Sequence, residues 1–201
     1  MKLVSVQVGR PRTVWWHGKA VSTGIYKEPV AGRIMLHRFN LDGDQQADLT
    51  VHGGQDKAVY VYPSEHYPIW QAEFPNMELP YGMFGENFTT EGLDEESVHI
   101  GDQFRIGEAV VEVTQPRMPC YKLGIRFSHP DMPKRFHASG RCGFYLAVLR
   151  EGEVGAGDLW KRIARNDQQV SVIQRYRQYF QGDDDCEGEP RLTDTGRRRA
   201  S

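Results

Sequence analysis

The 201-residue sequence has little of what marks a secreted, disulfide-held or membrane-spanning protein. It contains three cysteines, Cys120, Cys142 and Cys186, an odd number at wide spacing with no Cys-x-x-Cys pair. That pattern supports neither a disulfide framework nor a structural zinc knot, and it suits a reducing compartment. No segment approaches the roughly 20 consecutive apolar residues of a membrane span. The first eight residues alternate briefly and then meet Gly9 and Pro11, without the apolar run of a signal peptide. A surplus of one charge is missing too, since 25 Lys and Arg face 27 Asp and Glu for a net −2. Duplex nucleic-acid binders draw affinity from excess cations on phosphates, so that class is disfavoured. The expectation is a soluble, cytoplasmic protein with neither a nucleic-acid nor a membrane partner, as a monomer or small homo-oligomer.

What is present is enough apolar material for a real core: 39% of residues are hydrophobic, on a length that fits one domain or a domain with a short appendage. Short apolar runs broken by Gly and Pro recur through the first 160 residues. Period-two or β-branched and aromatic character predicts strands over residues 3–8, 33–39, 58–62, 103–106, 109–114 and 144–149. Gly107-Glu108 reads as a two-residue hairpin turn between two of them. Helical signals are few: one stretch from Ser64 to Phe74 with Pro68 in its first turn, one over residues 131–137, and one over residues 167–180. In the last, Val170, Ile173, Tyr176 and Phe180 share a face that packs onto the domain. The division expected is a β-rich domain over residues 1–165, a helical appendage over 166–181 and a disordered tail over 182–201. Half of the last 20 residues are charged, too few apolar groups to offset ordering entropy. The fold class is mainly β, of the α+β kind.

The stretch from Gln115 to Gly124 carries the most chemistry. Pro116 and Pro119 fix their own φ and bias their predecessors toward extended backbone, so a strand passes into a stiff loop that delivers Cys120. Arg117 and Lys122 flank the sulfur, and nearby cations favour the thiolate, the nucleophilic and metal-binding form. A helical turn starting at Tyr121 would act in the same sense. Cys142 enters an apolar run and reads as packing; Cys186 lies in the tail. A second cluster runs from Asp42 to Val59. Gly53-Gly54 lets backbone amides face an anion while His52 and Lys57 supply donors. It matches neither phosphate-loop pattern, so an ordinary nucleotide fold is not indicated. Asp42, Asp44 and Asp48 miss EF-hand spacing and read as solvated loop carboxylates or helix caps. Glu86 and Asn87 either line a pocket or satisfy a turn. The histidines show no zinc-ligand spacing.

Together these stretches resemble the MOSC-domain family, and most closely its stand-alone YiiM-type branch. The resemblance rests on Leu41-Asp42-Gly43-Asp44-Gln45-Gln46-Ala47-Asp48, Val51-His52-Gly53-Gly54, Asp56-Lys57-Ala58-Val59 and Phe84-Gly85-Glu86-Asn87-Phe88. It continues through Gln115-Pro116-Arg117-x-Pro119-Cys120-Tyr121-Lys122-Leu123 and Gly155-x-Gly157-Asp158. It implies a β-barrel-like domain with few peripheral helices and a C-terminal helix. It also implies a molybdenum cofactor, a Mo-pyranopterin, whose metal is ligated by Cys120. His52, Gly53, Gly54, Lys57, Asn87, Arg117 and Lys122 would then hold the cofactor or steer substrate. The activity it implies is reduction of N-hydroxylated compounds such as 6-hydroxylaminopurine to amines. Electrons would come from a separate electron-donating reductase, because no flavin or iron-sulfur motif is visible in this chain. Two other uses of Cys120 fit the same local chemistry: a sulfur carrier holding a persulfide, and a Cys-His hydrolase with His52.

Overall fold

Strands form where β-branched and aromatic residues run between Gly and Pro, and their pairing sets the wall on which the cleft is built. The computed structural model describes residues 1–45 and 54–181. His52, Gly53 and the expected tail lie outside the described residues. Among the described residues there are twelve strands: β1 (Lys2–Val8), β2 (Arg12–Trp16), β3 (Lys19–Thr23), β4 (Glu28–Pro29), β5 (Arg33–Leu36), β6 (Val59–Pro63), β7 (Phe88–Glu91), β8 (Gln103–Ile106), β9 (Ala109–Pro116), β10 (Phe144–Arg150), β11 (Gly152–Gly155) and β12 (Trp160–Ala164). The helices are α1 (Tyr67–Glu73), α2 (Lys122–Arg126), α3 (Met132–Ser139) and α4 (Val172–Gln181).

Eight strands make one mixed sheet in the order β12-β8-β9-β10-β6-β7-β1-β4, with β6 and β7 the parallel pair. Every residue of β6 is buried, as a continuous apolar run in a central strand requires. The β8–β9 hairpin pairs Ile106 with Ala109 across the expected Gly107-Glu108 turn, where Gly107 has φ of 54°. The sheet also curls back on itself. Leu3 N–H donates to Asp158 O at 2.9 Å and Gly157 N–H to Leu3 O at 2.8 Å, tying β1 to the chain entering β12. Those bonds make the wall barrel-like without a full closing ladder.

The core gathers Trp70 of α1, Tyr62 of β6, Phe84 and Phe136 of α3, with the Tyr62 and Phe84 rings 4.3 Å apart. Trp70 Nε1–H finds a partner in the Tyr62 hydroxyl at 2.7 Å, which removes the penalty of burying an indole donor. The last helix starts at Val172, five residues later than the sequence pattern suggests. Ser171 explains the start: its Oγ accepts the Gln174 N–H at 3.2 Å while Gln174 Oε1 accepts the Ser171 N–H at 2.9 Å, a reciprocal capping box. Val172 and Tyr176 are buried, so α4 is fastened to the domain rather than hung from it. Among the described residues, no helix is long and apolar enough to cross a membrane.

Candidate functional site

The cleft opens over the middle of the sheet, where β6, β10 and the end of β9 lie side by side. Tyr145 of β10 pairs with Tyr60 of β6 on one side and with Gln115 of β9 on the other, placing two phenol rings 5.4 Å apart on the cleft wall. Beyond β9 residues 117–120 have no regular secondary structure, and the Cys120 carbonyl accepts the Leu123 N–H at 2.9 Å to begin α2. Cys120, partly exposed, and Lys122 both line the cleft, whose volume is about 100 Å³. Pro116 and Pro119 flank the segment that carries Arg117 and ends at Cys120.

Arg117 forms the buried side of the cleft. Its N–H donates to Gly143 O at 3.3 Å. Gly143 has φ of 64°, and a Cβ there would stand 2.2 Å from the Val61 carbonyl oxygen, so only glycine lets β10 begin this close to β6. The guanidinium carbon lies 5.2 Å from the Tyr60 ring centre and 5.0 Å from that of Phe136. Burial opposes the Arg117 charge, yet Tyr60, Tyr145 and Cys120 around it hold its pKa above the ordinary value. Burial raises the Tyr60 and Tyr145 phenols, and the Arg117 charge works against that rise. Arg117 Nη1 is buried with no hydrogen-bond partner among the described residues. An unpaired buried donor costs roughly 1–3 kcal/mol, and its position in a cleft fits an anionic group that completes it.

Lysines and one carboxylate supply the remaining charge. Among the described residues Lys27, Lys57, Arg117 and Lys122 line the cleft against Asp44 as the one acidic group. Lys57 sits in a short helical turn, Gln55–Lys57, anchored where Thr114 Oγ1–H donates to Asp56 O at 2.6 Å. Asp44 corrects the sequence reading of a solvated carboxylate. It is buried, and it accepts hydrogen bonds from Lys27 Nζ, from the Gly9 N–H at 2.8 Å and from Asn87 Nδ2 at 3.0 Å. Lys27 supplies the countercharge that sequence proximity could not reveal. Burial lowers the Lys27 pKa, and Asp44 opposes that shift.

Of the residues singled out from sequence, Cys120, Lys57, Asn87, Arg117 and Lys122 converge on this cleft. Asn87 faces it with its amide already committed, donating to Gln7 O at 3.2 Å and to Asp44, and accepting the Tyr60 N–H at 3.1 Å. Gly54 is exposed, with φ of 92°, and does not line the cleft. Glu86 is turned inward, accepting from Gly82 N–H at 2.7 Å, Phe84 N–H at 3.1 Å, Thr89 Oγ1 at 3.1 Å and the Tyr67 hydroxyl. Cys142 is fully buried in the core, as its apolar neighbours suggested. Sequence reasoning missed Lys27, which depends on its contact with Asp44, and Tyr60 and Tyr145, which depend on strand pairing.

Fold and site together define a class: a curled β-sheet domain that presents one cysteine into a cationic cleft. The chain belongs to the MOSC domain family, whose model matches residues 48–160. It is 48% identical over 170 residues to the uncharacterized protein YflK of Bacillus subtilis, covering 85% of this chain and 76% of that protein. It superposes on the crystal structure of YiiM from Geobacillus stearothermophilus with a TM-score of 0.75 at 34% identity, covering 91% of this chain and 85% of the other. These likenesses place it in the YiiM-type branch. A protein of Gibberella moniliformis named "Reductase" is 36% identical over 174 residues, 85% of this chain, which spans 31% of that protein's length.

Proposed function

We propose that this protein binds a molybdenum cofactor with Cys120 as the metal ligand and reduces N-hydroxylated compounds, such as N-hydroxylated purine bases, to amines. The observation that carries the reading is the cleft pairing of a soft sulfur donor with Arg117, a buried cation whose Nη1 lacks a protein partner. Among the described residues no three His, Cys, Asp or Glu side chains converge, so one thiolate leaves the remaining coordination to the cofactor. When bound, the molybdenum–pyranopterin supplies a two-electron reducing centre. Arg117 presents a planar fork and Lys57 and Lys122 present point charges to anionic groups in the cleft. The reaction consumes two electrons and two protons. The N–O bond breaks, the nitrogen takes the electron pair and gains one proton to become an amine, and the hydroxyl takes the other proton and leaves as water. The cationic wall favours that departure by opposing the negative charge that grows on the leaving oxygen. The electrons come from a separate reductase.

The test is metal analysis of cofactor-loaded wild type and Cys120→Ala, with turnover of 6-hydroxylaminopurine from an artificial donor. Molybdenum and activity are expected in wild type and absent from the variant. Equal molybdenum in both would remove Cys120 as ligand. A stable gain of one sulfur on Cys120 without reductase activity would assign a sulfur carrier instead.

A further inference from the structure

Beyond the residues that line the cleft, two more cations gather on a single aromatic ring. The Arg12 guanidinium carbon lies 3.3 Å from the centre of the Tyr26 ring, and that of Arg126 lies 4.9 Å from the same centre. Among the described residues neither arginine has a carboxylate within ion-pair distance. Arg126 Nε is buried and has no hydrogen-bond partner. A single cation over an aromatic face is a stabilising contact, but a second brought to the same ring repels the first. Burial, together with the neighbouring Arg12 charge, lowers the Arg126 pKa from its ordinary value. The fold gains little from that arrangement unless an anion completes it.

The stack is continuous with the cleft. Tyr26 stands between Ile25 and Lys27, which both line it. Arg126 follows Lys122 by four residues on α2, about 6 Å along a helix axis. Glu86 is near enough for its charge to act on both Lys27 and Arg126. On the other side, a Cβ at Gly9 would stand 2.2 Å from the Tyr26 carbonyl oxygen, so the chain entering β2 and carrying Arg12 is pressed against Tyr26.

We propose that Arg12 and Arg126, gathered on Tyr26, form an anion subsite at the rim of the cleft, and that it takes the phosphate of a nucleotide whose base lies at the Cys120 end. Two guanidinium forks match a phosphate's oxygens, and the partly dry setting strengthens each charge-assisted bond. The identity of the base rests on the reductase reading above. The inference narrows its substrate class to N-hydroxylated nucleoside phosphates in preference to free bases.

Calorimetric titration of the full chain with deoxyadenosine 5′-monophosphate and with deoxyadenosine tests it without turnover. Wild type is expected to bind the monophosphate about tenfold more tightly or better. R126Q and R12Q should each bring the two ligands close to parity, with R126K retaining part of the preference. R12Q changes an exposed side chain and so reads the subsite independently of α2 packing. Parity in wild type, or an undiminished preference in both glutamine variants, overturns the proposal. So does a preference that vanishes on cofactor loading while R126Q loses molybdenum, which would give the arginines to the cofactor's own phosphate. A preference that persists in cofactor-loaded protein that fails to reduce 6-hydroxylaminopurine supports the subsite and removes the reductase reading.

Discussion

Lys27 and Asp44 meet as a buried ion pair in the wall of the cleft, with Lys27 Nζ donating to Asp44 Oδ1. Gly9 N–H and Asn87 Nδ2 complete the carboxylate's shell. Breaking such a pair from one side strands a charge away from water, which typically costs about 3–5 kcal/mol. Asp44→Asn and Lys27→Met are each expected to lower the unfolding free energy by about that amount in urea titrations. The double variant strands no charge but leaves one acceptor oxygen where Asp44 offered Gly9 and Asn87 one each, so it should recover part of the loss. Additive losses would show that the two residues do not depend on each other.

Arg117 makes the opposite kind of prediction. Its buried, unpartnered Nη1 burdens the fold while readying the cleft for an anion. Arg117→Met should leave stability within about 1 kcal/mol of wild type or above it, whereas kcat/KM should drop on the order of 100-fold. A parallel collapse of stability and activity would reduce Arg117 to a structural strut between Tyr60 and Phe136.

Glu86 carries a pH signature. Burial pushes its carboxyl above the usual 4.5 even though four donors face it. A group whose folded pKa is raised contributes stability that is complete below its unfolded pKa and is lost as pH rises through the folded value. The stability difference between wild type and Glu86→Gln should therefore move against wild type as pH rises from about 4.5 toward neutrality. A difference that stays flat across that window would mean the carboxyl titrates alike in both states.

At the far end of the chain, Ser171→Ala removes one half of the capping box with Gln174. A loss of roughly 1 kcal/mol in thermal or urea unfolding is expected, with molybdenum retention unchanged. A loss of metal in this variant would link α4 to the cleft, a connection its packing on β9 does not suggest.

Several elements were readable from sequence because their causes are local. The hairpin at Gly107-Glu108 follows from glycine's access to positive φ, and β10 from its apolar run. The stiff delivery of Cys120 follows from Pro116 and Pro119, whose ring constraints act on their own backbone and the residue before. β2, β3 and β11 carry no clear strand signal, because four or five residues of mixed character show too little periodicity to stand out, whereas β5 lies inside the strand expected over residues 33–39. The start of α4 was placed five residues early, since its apolar spacing extends back beyond the residue that caps it.

The mainly β architecture, the placing of Cys120 between flanking cations just after two prolines, and the family membership carried by motifs spread over much of the chain are all legible in the residue order. Each depends on covalent constraint or on side-chain pattern along a continuous stretch. Tertiary structure decided which charges share the cleft. Lys27 and Asp44 lie 17 residues apart, Asn87 reaches Asp44 from 43 residues away, and Arg12 and Arg126 come together on Tyr26 from opposite halves of the chain. Coulomb energy depends on distance through space and on the removal of water, and sequence separation records neither.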